Sequence, residues 1–291
     1  MIKLVACDLD GTLFNSNMTV SSENISAIRA AQDSGIEFLV ATGRSPEQAR
    51  SALKDFDLQT GFINANGALV YDANGNLQVK HLLPTAKARA VAEILYKHQI
   101  YFEIVTKSKI YSADISQRVV NLAHSLIALN PNVTFKEAVA ISAGSNAMLS
   151  MTLVDNFEQL LADPQLEITK IIAFDGRGYA AFKEVKEEIT ALGDLAVTSS
   201  SAANIEINDI RAQKGSALLD YAHKQGLKTE EIAAIGDNLN DESMIRAAGT
   251  GVAMANAVPA IKQVAQIETK SNNDDGVGHI LRQFIKNNAQ E

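Results

Sequence analysis

The chain has 291 residues, of which 46% are hydrophobic and 21% charged, the composition of an ordinary soluble globular protein with room for one large domain or two of usual size. Acidic residues number 34 against 26 basic ones, a formal charge of -8 with Lys and Arg scattered, so nucleic acid and anionic membrane are poor partners. The single cysteine, Cys7, excludes an internal disulfide, the five dispersed histidines offer no zinc spacing, and no apolar run is long enough to span a membrane. A cytoplasmic protein with no cleaved leader is therefore expected.

Ile2 to Leu9 is a short apolar run ending in acidic residues and Gly11, which fits a buried strand opening into a loop. Ser21 can cap a helix whose apolar positions Ile25, Ile28 and Ala31 recur at helical spacing, closed by Gly35 before a second strand, Ile36 to Ala41. Ser45-Pro46 supplies an N-cap and first-turn pair for a further helix. Phe62 to Asn64 reads as a third strand, and Asn66-Gly67 and Asn74-Gly75 as tight turns.

From Pro84 the texture changes. A helix over about Thr85 to His98 is followed by strand-like alternation at Ile100 to Val105, a helix near Asp114 to Leu129 and a strand at Ser150 to Leu153. Then come a helix near Asn156 to Leu161, a strand at Lys170 to Phe174 and a helix near Phe182 to Leu192. After Ile207 the first texture resumes: a helix from Lys214 to Gln225, a strand from Ile232 to Ile235, the loop Gly236-Asp237-Asn238, a short helix, a strand from Gly251 to Met254 and a last helix from Gly278. Strand and helix alternation that is interrupted and resumed predicts a discontinuous α/β domain, residues 1–82 and 208–291, carrying an inserted α+β domain, 83–207.

Three strand ends carry the chemistry. Asp8-Leu9-Asp10-Gly11-Thr12 places two carboxylates two residues apart, so they can share a site only if the chain turns, which Gly11 makes feasible. Four specified residues at roughly 5% each arise by chance in about one such chain in several hundred. Gly236-Asp237-Asn238-Leu239-Asn240-Asp241 adds a second acidic loop, and carboxylates gathered at strand ends suit Mg²⁺. Thr42-Gly43-Arg44 follows a strand and precedes a helix, where hydroxyl and backbone N–H groups can receive a phosphate. Lys214 opens a helix although the macrodipole disfavours a cation there, and an anion in front of it would resolve the conflict.

Together these segments resemble the haloacid dehalogenase superfamily of phosphohydrolases, and more closely its Cof-type branch (class IIB, C2-capped). The resemblance rests on DLDGTL at Asp8 to Leu13, ATGR at Ala41 to Arg44, NANGA at Asn64 to Ala68, Lys214-Gly215, GDNLND at Gly236 to Asp241, GVAMANA at Gly251 to Ala257 and Asp275-Gly276-Val277. Two departures, Ala255 where the family usually has Gly and the segment Asn208 to Gln213, leave the reaction class untouched and bear on the substrate. The resemblance implies a Rossmann-like doubly wound parallel sheet with an inserted cap, and hydrolysis of a small phosphomonoester, foremost a sugar phosphate, with Mg²⁺. Asp8 would be the nucleophile and Asp10 the acid and base, with Mg²⁺ on Asp8, Asp237 and the Asp10 carbonyl. Leu9 and Gly43 (through backbone N–H groups), Thr42, Lys214 and Asn240 would receive the phosphate. Arg44 and Asn66 would stand on the leaving group's side, and Asp241 would orient Lys214 or the metal's water shell. A neighbouring acid would raise the Asp10 pKa toward neutrality. A phosphomutase of the phosphomannomutase type shares the DxDGT nucleophile, and a phospho-accepting regulatory module shares the acidic cluster; both are competing readings. Oligomeric state is not legible.

Overall fold

The computed structural model of the protein describes residues 1–130, 132–145, 148, 151–201 and 203–290. The chain falls into two compact units, Met1–His81 with Asp209–Glu291, and Leu82–Asn208.

Unit 1 opens with β1 (Leu4–Asp8), buried at every position, as a strand covered on both faces must be. Helix α1 (Ser22–Asp33) starts where the Ser21 hydroxyl accepts the Asn24 N–H. Strand β2 (Glu37–Ala41) pairs parallel to β1, and α2 (Pro46–Leu53) begins on a capping box of Ser45 and Gln48 with Pro46 in its first turn. After β3 (Gly61–Asn64) the chain turns through Asn66 at φ 60° and returns as the short antiparallel strands β4 (Leu69–Tyr71) and β5 (Leu77–Lys80). Sequence reading registered the turns around these two strands and not the strands.

Unit 2 runs α3 (Thr85–Lys97), β6 (Tyr101–Thr106), β7 (Ile110–Ser112), α4 (Ile115–Leu129), α5 (Phe135–Ala143), β8 (Met151–Leu153), α6 (Phe157–Leu160), β9 (Ile168–Phe174), α7 (Lys183–Ala191), β10 (Leu195–Thr198) and β11 (Asn204–Asp209). Ser150, the expected start of the strand before α6, lies outside the described residues. The sheet order is β10-β11-β9-β6-β7-β8, antiparallel between β11 and β9, β9 and β6, and β6 and β7. Phe102, Ile104, Ile171, Ala173, Ile205 and Ile207 join Val91 and Leu95 of α3 and Val185 and Ile189 of α7 in a core belonging to this unit. Among the intervening strand positions, Glu103, Lys170 and Glu206 are polar and buried, held by the ion pairs Arg118–Glu103 at 2.5 Å and Lys170–Glu206 at 2.7 Å.

Back in unit 1, α8 (Lys214–Lys224), β12 (Ile232–Gly236), α9 (Glu242–Ala247), β13 (Thr250–Ala253), α10 (Pro259–Val264), β14 (Ile267–Glu268) and α11 (Gly276–Asn288) complete the chain. The last helix starts two residues before the expected Gly278, directly after the turn at Asp275, φ 58°, and the Gly278 N–H in its first turn donates to Asn24 Oδ1 of α1 at 2.8 Å. The sheet order is β14-β13-β12-β1-β2-β3-β4-β5, parallel from β14 through β3. This is the expected α/β architecture with a parallel core sheet. From β1 the chain builds outward to β2 and β3 on one side and later adds β12, β13 and β14 on the other. The junction of β1 and β12 is thus the switch point at which open α/β sheets hold ligands beyond the carboxyl ends of their strands. Among the described residues no helix is long and apolar enough to cross a membrane.

Candidate active site

Asp8 ends β1, and strand register decides what meets it. Asp8 lies opposite Ala41 on β2 and Cys7 opposite Ile235 on β12, so the residues that follow, Thr42 and Gly43 on one side and Asp237 on the other, leave their strands at the level of the Asp8 carboxylate. Lys214 Nζ donates to Asp8 Oδ1 at 2.6 Å and to Asp241 Oδ1 at 2.6 Å, and is itself fully buried. These two carboxylates are the anions that a lysine at the first residue of α8 requires. Asp241 spends its second oxygen on the N–H groups of Asp237 at 2.9 Å and Asn238 at 3.0 Å, closing the turn between β12 and α9. Thr12 Oγ1 donates to Asp237 Oδ1 at 2.8 Å. Gly11 sits at φ +86°, and a Cβ there would stand 2.6 Å from Asp237 Oδ2, so glycine is needed for the turn and for the approach of the two loops.

The charges do not balance. Asp8, Asp237 and Asp241 offer carboxylate oxygens within 4.8 Å of one another, and Lys214 is the ammonium ion-paired among them. Burial, then the Asp241 charge, push the Asp8 carboxyl well above the usual aspartate range despite Lys214. The same two causes push Asp237 up to about 6. Burial alone would lower the Lys214 pKa, but Asp241 and Asp8 outweigh it and hold the ammonium charged. Burial, then the Asp8 charge, raise the Cys7 thiol, which makes it an inert core group. Oxygen ligands with excess negative charge fit a hard divalent cation of the Mg²⁺ type. Of the three carboxylates, Asp241 has both oxygens engaged, which leaves Asp8 and Asp237 as the side chains able to hold an ion.

Asp10 stands apart from this cluster. Its side chain is 46% exposed and pairs with Arg44, whose Nε donates to Oδ2 at 2.9 Å and whose Nη2 donates to Oδ1 at 2.5 Å. The turn at Gly11 presents this carboxylate to the Arg44 guanidinium, a partner the sequence did not indicate. Thr42 is buried, and its hydroxyl accepts the Arg44 N–H at 3.2 Å. Gly43 is half-buried beside it. Asn66 is a buried left-handed turn residue whose N–H donates to the Thr42 carbonyl at 3.1 Å. Leu9 has its side chain in the hydrophobic core, so its backbone is what it can offer the site. Asn240 lies half-buried in the turn from Leu239 to Asp241.

Sequence reasoning passed over two residues that shape these loops. Thr12 lies inside the DxDGT motif and fixes Asp237, and Asn256, inside GVAMANA, donates from Nδ2 to the Gly11 carbonyl at 2.8 Å. Both signals were present in the motifs that contain them.

Comparison with known proteins identifies the family. The family model of haloacid dehalogenase-like hydrolases matches residues 5–281. The phosphatase YwpJ of Bacillus subtilis is 33% identical, the match covering 98% of this chain and 100% of that protein. The 5-amino-6-(5-phospho-D-ribitylamino)uracil phosphatase YcsE of the same organism is 31% identical over 98% of this chain and 96% of its own. A solved haloacid dehalogenase-like hydrolase from B. subtilis superposes with a TM-score of 0.86 at 33% identity, covering 97% of this chain and 99% of that one. Matched from its first strand into its last helix, the chain belongs to the haloacid dehalogenase-like hydrolases and is a phosphatase of their Cof-type branch.

Proposed function

We propose that the protein is a Mg²⁺-dependent phosphomonoesterase acting on small phosphorylated metabolites, sugar phosphates and related polyol phosphates foremost, through an aspartyl-phosphate on Asp8. The observation that carries this reading is the buried Asp8 carboxylate at the end of β1, held at 2.6 Å by a fully buried lysine and crowded by two further aspartates. Such a carboxylate is fixed in place and poorly solvated, as a nucleophile aimed at phosphorus must be.

In the first step an Asp8 oxygen bonds to phosphorus while the ester P–O bond breaks. The electron pair goes to the leaving oxygen, which takes a proton from Asp10. In the second step Asp10, now a carboxylate, takes a proton from water as the water oxygen attacks phosphorus, and the Asp8 carboxylate departs with the electron pair of the broken bond. Inorganic phosphate is released and both aspartates return to their starting forms. Thr42, Lys214, Asn240 and the backbone N–H groups around Leu9 and Gly43 are assigned to the phosphoryl oxygens, stabilising charge as it shifts. Asp8 and Asp237, with the Asp10 carbonyl, would hold Mg²⁺, and Asp241 keeps Lys214 and the Asp237 loop in place. Bound there, the ion offsets the negative charge that otherwise keeps an anionic nucleophile from an anionic phosphate.

The substrate class draws support from YcsE, whose name specifies a phosphorylated ribityl chain. Arg44 and Asn66 of unit 1 are assigned to the leaving group's side of the site. The test is phosphate release from a panel of sugar phosphates, polyol phosphates, pyridoxal phosphate and flavin mononucleotide, with Mg²⁺ and after chelation. Turnover of at least one phosphorylated sugar or polyol, lost in EDTA and restored by Mg²⁺, is expected. Undiminished activity after exhaustive chelation would contradict the metal, and release confined to the non-polyol esters would contradict the substrate class.

A further inference from the structure

Asp10 and Arg44 come from different loops of unit 1, and the fork between them is held from both ends. Two parallel bonds, 2.9 Å from Nε and 2.5 Å from Nη2, fix the plane of the carboxylate. The guanidinium carbon lies 5.7 Å from the centroid of the Phe14 ring, which is buried and packs on Phe56. Phe14 N–H donates to the Leu9 carbonyl at 2.8 Å, so the ring under the guanidinium belongs to the same turn as Asp10. The Arg44 main chain is equally fixed. Its N–H donates to Thr42 Oγ1, and its carbonyl accepts Ala65 N–H at 2.9 Å and Asn64 Nδ2 at 3.5 Å. An ion pair this exposed adds little to stability. What the arrangement does achieve is to give one carboxylate a single orientation.

We propose that Arg44 is the positioning residue for Asp10, setting the direction from which that carboxyl group meets the leaving oxygen. The proposal rests on the assignment of Asp10 made above. A carboxylate has about four lone-pair directions and the fork takes two, which leaves each oxygen one for the reacting partner.

The test compares kcat/KM for phosphate monoesters of graded leaving-group basicity, from p-nitrophenyl phosphate to a primary alkyl phosphate, in wild type, Arg44→Ala, Arg44→Lys and Asp10→Asn. General acid catalysis contributes about 10²–10⁴-fold where the leaving group departs poorly and far less where it departs unaided. Arg44→Ala is expected to lower the alkyl ester about tenfold to a hundredfold more than the p-nitrophenyl ester, with the change in kcat. Arg44→Lys should recover part of this, because one ammonium keeps the charge but cannot form the fork. It also tests the fork should the alanine variant be unstable. If Asp10→Asn is selective for poor leaving groups while both Arg44 variants lower all esters equally, or change KM alone, the positioning role is overturned. If Asp10→Asn itself shows no such selectivity, the fault lies in the underlying assignment of Asp10.

Discussion

Lys214 is the residue whose removal exposes the electrostatics of the site most plainly. Replacing it with Met keeps the stem but leaves Asp8 and Asp241 facing each other in a buried cluster. Loss of one partner from a buried pair costs about 3–5 kcal/mol. A drop of that order in unfolding free energy is expected by urea denaturation at pH 7 in EDTA, along with loss of turnover. A drop below about 1 kcal/mol would mean that the carboxylates are not held by this lysine. The same cluster sets a pH dependence. Asp8 and Asp237 keep protons in the folded chain at pH values where the unfolded chain has released them, so the native state binds more protons and stability falls as pH rises. For Asp237 the window runs from the usual aspartate range to about 6. In EDTA, the urea midpoint of wild type is expected to decline more between pH 5 and pH 7 than that of Asp237→Asn; identical slopes would contradict the assignment. At this scale the motifs displayed the acids, and the structure gathers Asp8, Asp237, Asp241 and Lys214 into one cluster. The fork between Asp10 and Arg44 was not legible, since 34 positions separate the two and only the strand register and the turn at Gly11 bring them together.

Caps were the most readable signals among the elements. Ser21, Ser45, Asp114 and Asn156 each accept backbone N–H groups at the helix starts that sequence placed there. Ser21 has a further task, since its hydroxyl also donates to Asp275 Oδ1 at 2.5 Å, tying the start of α1 to the residue before α11. Ser21→Ala should therefore cost more than an ordinary cap, about 1–2 kcal/mol in chemical denaturation, with kcat little changed. A cost of a few tenths would show that the tie to Asp275 contributes nothing. Other elements escaped for identifiable reasons. Strand β11 alternates apolar residues with Asn204, Glu206 and Asn208, which looks like an exposed edge. Those polar positions are in fact buried, Glu206 on Lys170 and Asn208 on the Thr169 carbonyl. Strands β4 and β14 are only three and two residues long, too short to show a period. Helix α5 also escaped, although its capping box of Thr134 and Glu137 lies in the sequence.

Among the described residues the apolar side chains gather into two hydrophobic cores, each confined to its own unit. The ends of unit 2 lie together, because the Leu83 N–H donates to the Ile168 carbonyl at 2.9 Å and Asn208 Nδ2 donates to the Thr169 carbonyl at 3.0 Å, neighbouring residues of β9. A segment with a closed core and adjacent ends should fold by itself. Residues 82–208 expressed alone are expected to unfold cooperatively in urea, and a gradual transition without a baseline would contradict the independence of the two cores. The central claim concerns the other unit: the phosphoryl group passes through a covalent bond to Asp8. Quenching the enzyme in acid within milliseconds of mixing with its best substrate, reducing with borohydride and sequencing the peptides by mass spectrometry tests this directly. A phosphorylated aspartate should be reduced to homoserine at position 8, in an amount that follows the burst of phosphoenzyme and vanishes in Asp8→Asn. Full turnover with no reducible acyl phosphate, or homoserine at Asp10 or Asp237 in place of Asp8, would contradict it.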